Sequence, residues 1–355
     1  MSLSLSSSFS VCSSPPLLQS LVATVCDAFT RGVVPLLIHD CTGGSYFLRS
    51  KSHHLIAVFK PSDEEPYASN TPKPSKTLGP MRPGVPIGEM AIREVMAYYL
   101  DQEHFAGIPL TVLATAMHAN FHSKNIKLGS CQVYCPHDCS ADDLGPSQFD
   151  INHVHAIALL DLRSVNQDRH GGNILVQRSK GNRLIPIDHG CILPEFDAMS
   201  ETQFTWLSWP QAREPLTPST IAYVNRLNSS HQLQAMKQTY PEVAFPAKAI
   251  VTLHLGTIFV QTCVAFGLTI YDMGILMVRE NHLIQSRFER LVEKALVGKD
   301  PLTKLNDFLK SFEMALEMML RQEFPEHYKQ KRIVRNGTHG KPRKTSLQVL
   351  LSTAA

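Results

Sequence analysis

No stretch of this chain is both long and uninterruptedly apolar. The nearest approach, AIVTLHLGTIFVQTCVAFGLTIYDMGILMV, is broken by His254, Gln261 and Asp272, each costly in hydrocarbon, so buried helices rather than a transmembrane span are expected there. Charge excess is missing as well: 34 Lys+Arg against 31 Asp+Glu leave a formal +3 over 355 residues, which gives no overall case for nucleic-acid binding. The eight cysteines are scattered through a chain that is not short, which excludes the disulfide-rich secreted class and points to reduced thiols in a cytoplasmic setting. Internal repeats are absent. The N-terminal MSLSLSSSFSVCSSPP lacks the positive segment of a secretory signal and is read as a disordered Ser-rich leader over 1–16, with only a weak likeness to a transit peptide.

What is present is 43% hydrophobic and 18% charged, the balance of a globular chain able to bury a core across two lobes. LLQSLVATVCDAFTRG has apolar residues at helical spacing and a stop at Gly32. VVPLLIHDCTGGSYFLR reads as two extended pieces around Gly43-Gly44, HLIAVFK as a further strand, and Pro61 to Pro86 as a long functional loop. A helix follows at IGEMAIREVMAYYLDQ, then a strand at SCQVYC and a loop at PHDCSADDLGPSQFD. HVHAIALLDLRSV is helical, NILVQ and LIPID are short strands, and helices are expected near 218–228, 246–266, 269–279, 284–297 and 302–323. The expected class is α+β: a small antiparallel-sheet N-lobe over 17–135, a mostly helical C-lobe over 136–325, and a basic, disordered tail over 326–355.

The chemistry concentrates in DLRSVNQDRHGGNIL and LIPIDHG. Phosphoryl transfer needs a group that orients the attacking hydroxyl and oxygen ligands that hold Mg²⁺ over the phosphates, and kinases supply them from Asp-x-x-x-x-Asn and a later Asp. Asp168 and Asn173 have that spacing, and Asp188 ends an apolar strand. Upstream, Thr42, Gly43, Gly44 and Ser45 form a turn whose backbone N–H groups can lie over phosphates, and Lys60 ends a strand where an ammonium can neutralise phosphate charge. A cleft lysine needs an acidic partner, which Glu89 or Glu94 can provide.

DRHGGN and IDHG resemble the catalytic and metal-binding loops of phosphatidylinositol 3- and 4-kinases, and FKPSDEEPYASN resembles the F-K-P-x-D/N-E-E-P motif of type II and plant γ-type phosphatidylinositol 4-kinases. The likeness to the plant γ-type group runs from about Leu17 to Val297 through HFAGIPLT, KLGSCQVYCPHDCSADDLG, TWLSWPQAREPLTP and GLTIYDMG. It implies a bilobal kinase fold using ATP and Mg²⁺. Asp168 and His170 would handle the acceptor proton, Asn173 and Asp188 would hold the metal, Lys60 would pair with Glu94, and Gln132, Val133 and Tyr134 would lie at the adenine-gripping hinge. The chain departs from the pattern in placing His39-Asp40-Cys41-Thr42, rather than a small residue, before Gly43.

The acceptor stays open between the 4-hydroxyl of phosphatidylinositol and a protein Ser/Thr. From His189 to Ala212 there is no Lys or Arg, while Glu195, Asp197 and Glu201 are present, so the segment expected beside the acceptor should repel polyphosphoinositides. The alternative of a catalytically weak nucleotide-binding scaffold is opposed by the presence of Lys60, Asp168, Asn173 and Asp188 together. Cys131, Cys135 and Cys139 with His137, His153 and His155 could be taken for a zinc cluster, but the spacing is not that of a knuckle, and core-facing thiols are expected. Trp206 and Trp209 are expected to anchor a loop. Lys329, Lys331, Arg332, Arg335, Lys341, Arg343 and Lys344 give a tail able to touch anionic membrane peripherally.

Overall fold

The structure, a computed structural model, describes residues 7–12, 16–73 and 79–326. Its first part comprises β1 (Ser8–Val11), α1 (Pro16–Thr30), β2 (Leu36–Leu37), β3 (Tyr46–Arg49), β4 (Leu55–Pro61), α2 (Met90–Leu100), β5 (Thr111–Met117) and β6 (Lys127–Val133). The strands form one antiparallel sheet in the order β1-β5-β6-β4-β3-β2.

Two of these strands depart from expectation. Ser8–Val11 falls in the stretch read as a disordered leader, yet Ser8 pairs with Met117, and Phe9 is buried with its ring 6.4 Å from that of Phe59. Its serines occupy the exposed face of an edge strand, so composition hid the pairing. β5 was not anticipated at all. Val112, Ala114 and Ala116 pack with Leu18, Val25 and Phe29 of α1, while Leu113 on the opposite face meets Val95 of α2 and Tyr240. A strand covered on both faces carries no polar alternation to betray it.

The second part contains β7 (Cys139–Ser140), α3 (Ile151–Ser164), β8 (Ile174–Gln177), β9 (Arg183–Pro186), α4 (Pro218–Arg226), α5 (Ser229–Thr239), α6 (Ala247–Phe266), α7 (Ile270–Met277), α8 (Arg287–Leu296) and α9 (Leu305–Glu323). β7, β8 and β9 make a small antiparallel sheet, with β7 lying inside an expected loop. Asp150 starts α3 by accepting the Asn152 amide at 2.8 Å, and Ser286 with Glu289 forms a capping box that opens α8. α5 escaped sequence reading because its apolar positions are few. Its buried Gln232 faces backbone carbonyls of Tyr99 and Leu100 instead.

α6 is the one described helix long and apolar enough to cross a membrane, but it is almost wholly buried at the centre of the helical lobe, packed by α3 and α9. The bilobal α+β arrangement is therefore as expected. Arg93 of α2 ties the halves together: its buried guanidinium donates to the Ile192 and Leu193 carbonyls and to Glu89 Oε2 at 2.6 Å. The basic tail from Lys329 onward lies outside the described residues.

Candidate active site

Period-two alternation along β4 sends Phe59 into the core and leaves Lys60 facing the cleft between the lobes. Its ammonium stands 2.5 Å from Glu94 Oε1 and 3.0 Å from Asp188 Oδ1. Burial disfavours the charge, but Asp188 and then Glu94 outweigh it and hold the lysine above its ordinary range. Burial likewise opposes ionisation of Glu94, yet Lys60 and then the His189 side chain keep its carboxyl below the usual range, and the His189 amide donates to Oε2 at 2.9 Å. Glu94, not Glu89, is thus the partner of Lys60. Glu89 pairs with Arg93.

The opposite wall is the turn after α3. Asn173 Nδ2 donates to the Asp168 carbonyl at 2.9 Å, and the Ile187 amide donates to the Asn173 carbonyl at 3.0 Å. These two bonds put Asp168, Asn173 and the end of β9, where Asp188 follows, on one wall. Asp188 sits at φ 54°, a left-handed conformation that costs a non-glycine residue about 1 kcal/mol and recurs at functional positions. The backbone that carries these groups is held by a buried clamp. Arg169 Nε reaches both oxygens of Asp161 at 3.0 Å, and its Nη1 donates to the carbonyls of Asn173 (2.6 Å) and Ile187 (2.9 Å). Asp161 also accepts from Asn166 and from the Trp206 indole at 3.0 Å. His170 is exposed at the mouth.

The profile for phosphatidylinositol 3- and 4-kinase matches residues 42–269, which spans every group just described. The chain belongs to that family. It is 35% identical over 328 residues to phosphatidylinositol 4-kinase gamma 4 of Arabidopsis thaliana (86% of this chain, 57% of that protein) and 38% over 286 residues to gamma 1 of the same plant (75% and 50%). Gamma 4 of Oryza sativa subsp. japonica is 35% identical over 323 residues, covering 86% of this chain and 56% of its own length. The chain thus spans about half the length of the curated relatives it matches.

Within this phosphatidylinositol 3- and 4-kinase family member, the acids after Lys60 are structural in a way sequence reading missed. Lys127, fully buried, meets Glu64 Oε1 at 2.6 Å and Asp63 Oδ2 at 2.8 Å, and Tyr46 donates to Glu64 Oε2 at 2.5 Å. Glu65 accepts the Gly88 and Ala91 amides at 2.6 and 3.0 Å and so caps the helix that carries Glu94. Burial pushes its carboxyl up to about 7 against the pull of those amides. The available signal was three consecutive acids, Asp63, Glu64 and Glu65, in a loop.

The glycine turn needs one correction. A Cβ on Gly43 would lie 2.7 Å from Pro66, and one on Gly44 would strike the Glu64 side chain, so both glycines permit close seating on the 64–66 segment. The Gly44 amide already donates to the Glu64 carbonyl at 2.7 Å, which removes it as a phosphate donor in this conformation. Lys73 braces the loop from its other side by donating to the Ile38, His39 and Cys41 carbonyls. Thr42 is the exposed tip, and Ser45 is buried with its carbonyl accepting the Ile38 amide at 2.8 Å.

At the expected hinge, the Val133 and Tyr134 amides are occupied by the Leu110 and Ile56 carbonyls at 2.9 and 3.0 Å, and the Gln132 side chain donates to Thr111 Oγ1. The two amides are thus committed to the sheet. Cys131 is buried, Cys135 and Cys139 are half-buried, and His155 bonds the Gln211 carbonyl at 2.9 Å. No metal-capable group of three converges among the described residues. Trp206 stacks on Phe204 at 4.7 Å and Trp209 packs on Phe149 at 4.9 Å, so both anchor their segment to the core. The acidic segment is not a bare negative surface. Lys248 reaches Glu195 and Asp197 at 3.0 Å, and Arg82 reaches Glu201 at 2.9 Å, which removes much of the repulsion expected from sequence.

Proposed function

We propose that this chain is an ATP-dependent phosphotransferase that moves the γ-phosphoryl group to an alcohol, with phosphatidylinositol as the acceptor. The observation that carries the reading is the Lys60 ammonium, drawn to Glu94 from the smaller lobe and to Asp188 from the larger one across a single cleft. The names of the relatives, all phosphatidylinositol 4-kinases, favour the lipid over a protein hydroxyl. The two lobes are taken to divide near Cys135.

Lys60, oriented by Glu94, would neutralise charge on the inner phosphates. The donor set fits a hard divalent ion. Asp188 is part-exposed and offers carboxylate oxygen, and the Asn173 amide nitrogen is tied to Asp168, which leaves the amide oxygen as its ligand. Magnesium held there would offset phosphate charge. Asp168 takes the acceptor proton, with the exposed imidazole of His170 beside it as a second group able to carry a proton. Thr42 at the loop tip, with Gly43 and Ser45 behind it, would border the phosphates, and Gln132 to Tyr134 the adenine. The eight free thiols suit a reducing compartment, from which the chain would meet membrane peripherally.

Purified full chain with labelled ATP and vesicles containing phosphatidylinositol should transfer label to lipid, and Asp188→Asn and Lys60→Met should each abolish transfer, the first with little change in the thermal midpoint and the second at a lower midpoint because Glu94 stays buried without its cation. Transfer to a generic protein but not to vesicles would replace the acceptor. Transfer to neither, with nucleotide still raising the midpoint, would leave the binding scaffold.

A further inference from the structure

Arg82 belongs to the long loop between β4 and α2, and neither sequence motif nor the proposed chemistry assigns it a role. Its Nη2 donates to Asp168 Oδ1 at 2.6 Å and its Nη1 to Glu201 Oε2 at 2.9 Å. The backbone that delivers it is seated rather than loose. The Glu195 amide donates to the Gly84 carbonyl at 2.8 Å, Val85 is buried, and Gly84 has φ +72° with any Cβ only 2.6 Å from the Ala198 carbonyl. The guanidinium itself is about a quarter exposed, and its buried Nε has no hydrogen-bond partner. A fixed backbone carrying a part-exposed charge, paired with two carboxylates that themselves keep solvent access, is the arrangement of a group that can exchange a partner for a ligand.

The position says what that ligand is. An acceptor hydroxyl must come within about 3 Å of Asp168 to surrender its proton. A guanidinium on the same carboxylate therefore borders both the attacking oxygen and the phosphorus under attack. Of two other described cations near the site, Lys60 lies between Glu94 and Asp188 and is assigned to the inner phosphates, and Arg169 is buried against Asp161.

We propose that Arg82 is a catalytic residue that contacts the transferring phosphoryl group, an arginine supplied in cis to the acceptor side of the site. This rests on the phosphotransfer reading above. In the step, a bond forms between the acceptor oxygen and the γ-phosphorus. The bond to the β,γ-bridging oxygen breaks with its electron pair leaving on ADP, and the acceptor proton passes to Asp168. Negative charge spread over the three equatorial phosphoryl oxygens matches the planar fork of an arginine. As Asp168 gains the proton it loses its hold on Arg82, while Glu201 keeps the guanidinium in place.

The test uses full chain carrying Arg82→Ala or Arg82→Lys and reads two quantities. Calorimetry compares binding of Mg-ADP with Mg-AMPPNP, a non-hydrolysable triphosphate. Transfer to phosphatidylinositol vesicles gives kcat at saturating ATP. Arg82→Ala should bind Mg-ADP as wild type does, lose several-fold of the preference for the triphosphate, and lose about 10²–10³ in kcat. Arg82→Lys, which keeps the charge without the fork, should recover part of both and serves alone if the alanine variant does not fold. An unchanged triphosphate preference overturns the proposal. So does a rise in kcat, which would make Arg82 a plug on Asp168. If wild type transfers to no acceptor, the phosphotransfer reading fails by itself, and the triphosphate preference still judges Arg82.

Discussion

Two aspartate–arginine pairs stand at either end of one turn, and they are built for opposite purposes. Asp161 and Arg169 are wholly buried, with both carboxylate oxygens shared among Arg169, Asn166 and the Trp206 indole. Asp168 and Arg82 keep some solvent access, and the arginine arrives from a separate loop in the smaller half of the sequence. A saturated buried charge can do no chemistry, because every acceptor site is taken and any change in protonation leaves an uncompensated partner. A charge held on one side only can exchange its partner for substrate. The string DLRSVNQDRH therefore holds a fastening and a reactive group in close succession, and its Arg169 serves the fastening.

The largest expected difference between the pairs is in rate. Asp168→Asn keeps the side-chain volume but removes the proton acceptor, so transfer should fall about 10²–10⁴-fold with the thermal midpoint within a few degrees of wild type. Asp161→Ala should do the reverse. Removal of one partner from a buried pair costs about 3–5 kcal/mol, read as a lower denaturant midpoint, and loss of the indole hydrogen bond should red-shift Trp206 emission in whatever folded protein remains. If Asp161→Ala were as stable as wild type but inactive, the division of labour between the two pairs would be wrong.

How much of this was legible in the sequence follows the same division. Asp168, Asn173, Asp188 and Lys60 could be named because phosphoryl transfer restricts residue type and spacing, and the structure brings them to one cleft. The Asp161–Arg169 clamp was half visible, since Asp161 is a charge inside the apolar helix pattern HVHAIALLDLRSV, but nothing local says which cation answers it. Arg82 was not visible at all: its partners Asp168 and Glu201 lie far along the chain, and only tertiary packing of Gly84 against Ala198 brings them together. β5 was lost for a related reason, both of its faces being buried. The glycine turn was read as a phosphate cradle because glycine fits both roles, and the seating of Gly43 and Gly44 on Glu64 and Pro66 could not be foreseen from local sequence.

Glu65 occupies a middle ground, buried like Asp161 but answered by backbone amides at the start of α2. Burial sets its folded-state value at about 7, above the roughly 4.3 of an unfolded glutamate. In that window the folded chain binds the extra proton, so this group's contribution to stability is full below pH ~4.3 and is lost as pH rises through about 7. Glu65→Gln cannot ionise. The midpoint of the variant relative to wild type should therefore climb between pH 5 and 8 in paired thermal melts. A difference that stays flat over that range would mean that the amides fully offset burial and that Glu65 behaves like the saturated Asp161.

The smallest effect is expected where a pair is exposed. Lys248 meets Glu195 and Asp197 at 3.0 Å near the surface, so Lys248→Ala should change stability by no more than about 1 kcal/mol. Its consequence should appear instead in acceptor binding, because two carboxylates next to the Arg82 loop then face an anionic lipid without a counter-charge. The KM for phosphatidylinositol in vesicles should rise a few-fold at low ionic strength and return toward wild type at about 0.5 M salt, where charges a few ångströms apart in water are screened. A salt-independent KM would place the lipid away from the 195–201 segment. The acceptor would then approach Asp168 from the side of His170, and the contrast between the closed and open aspartates would stand without Glu201 as part of the open one.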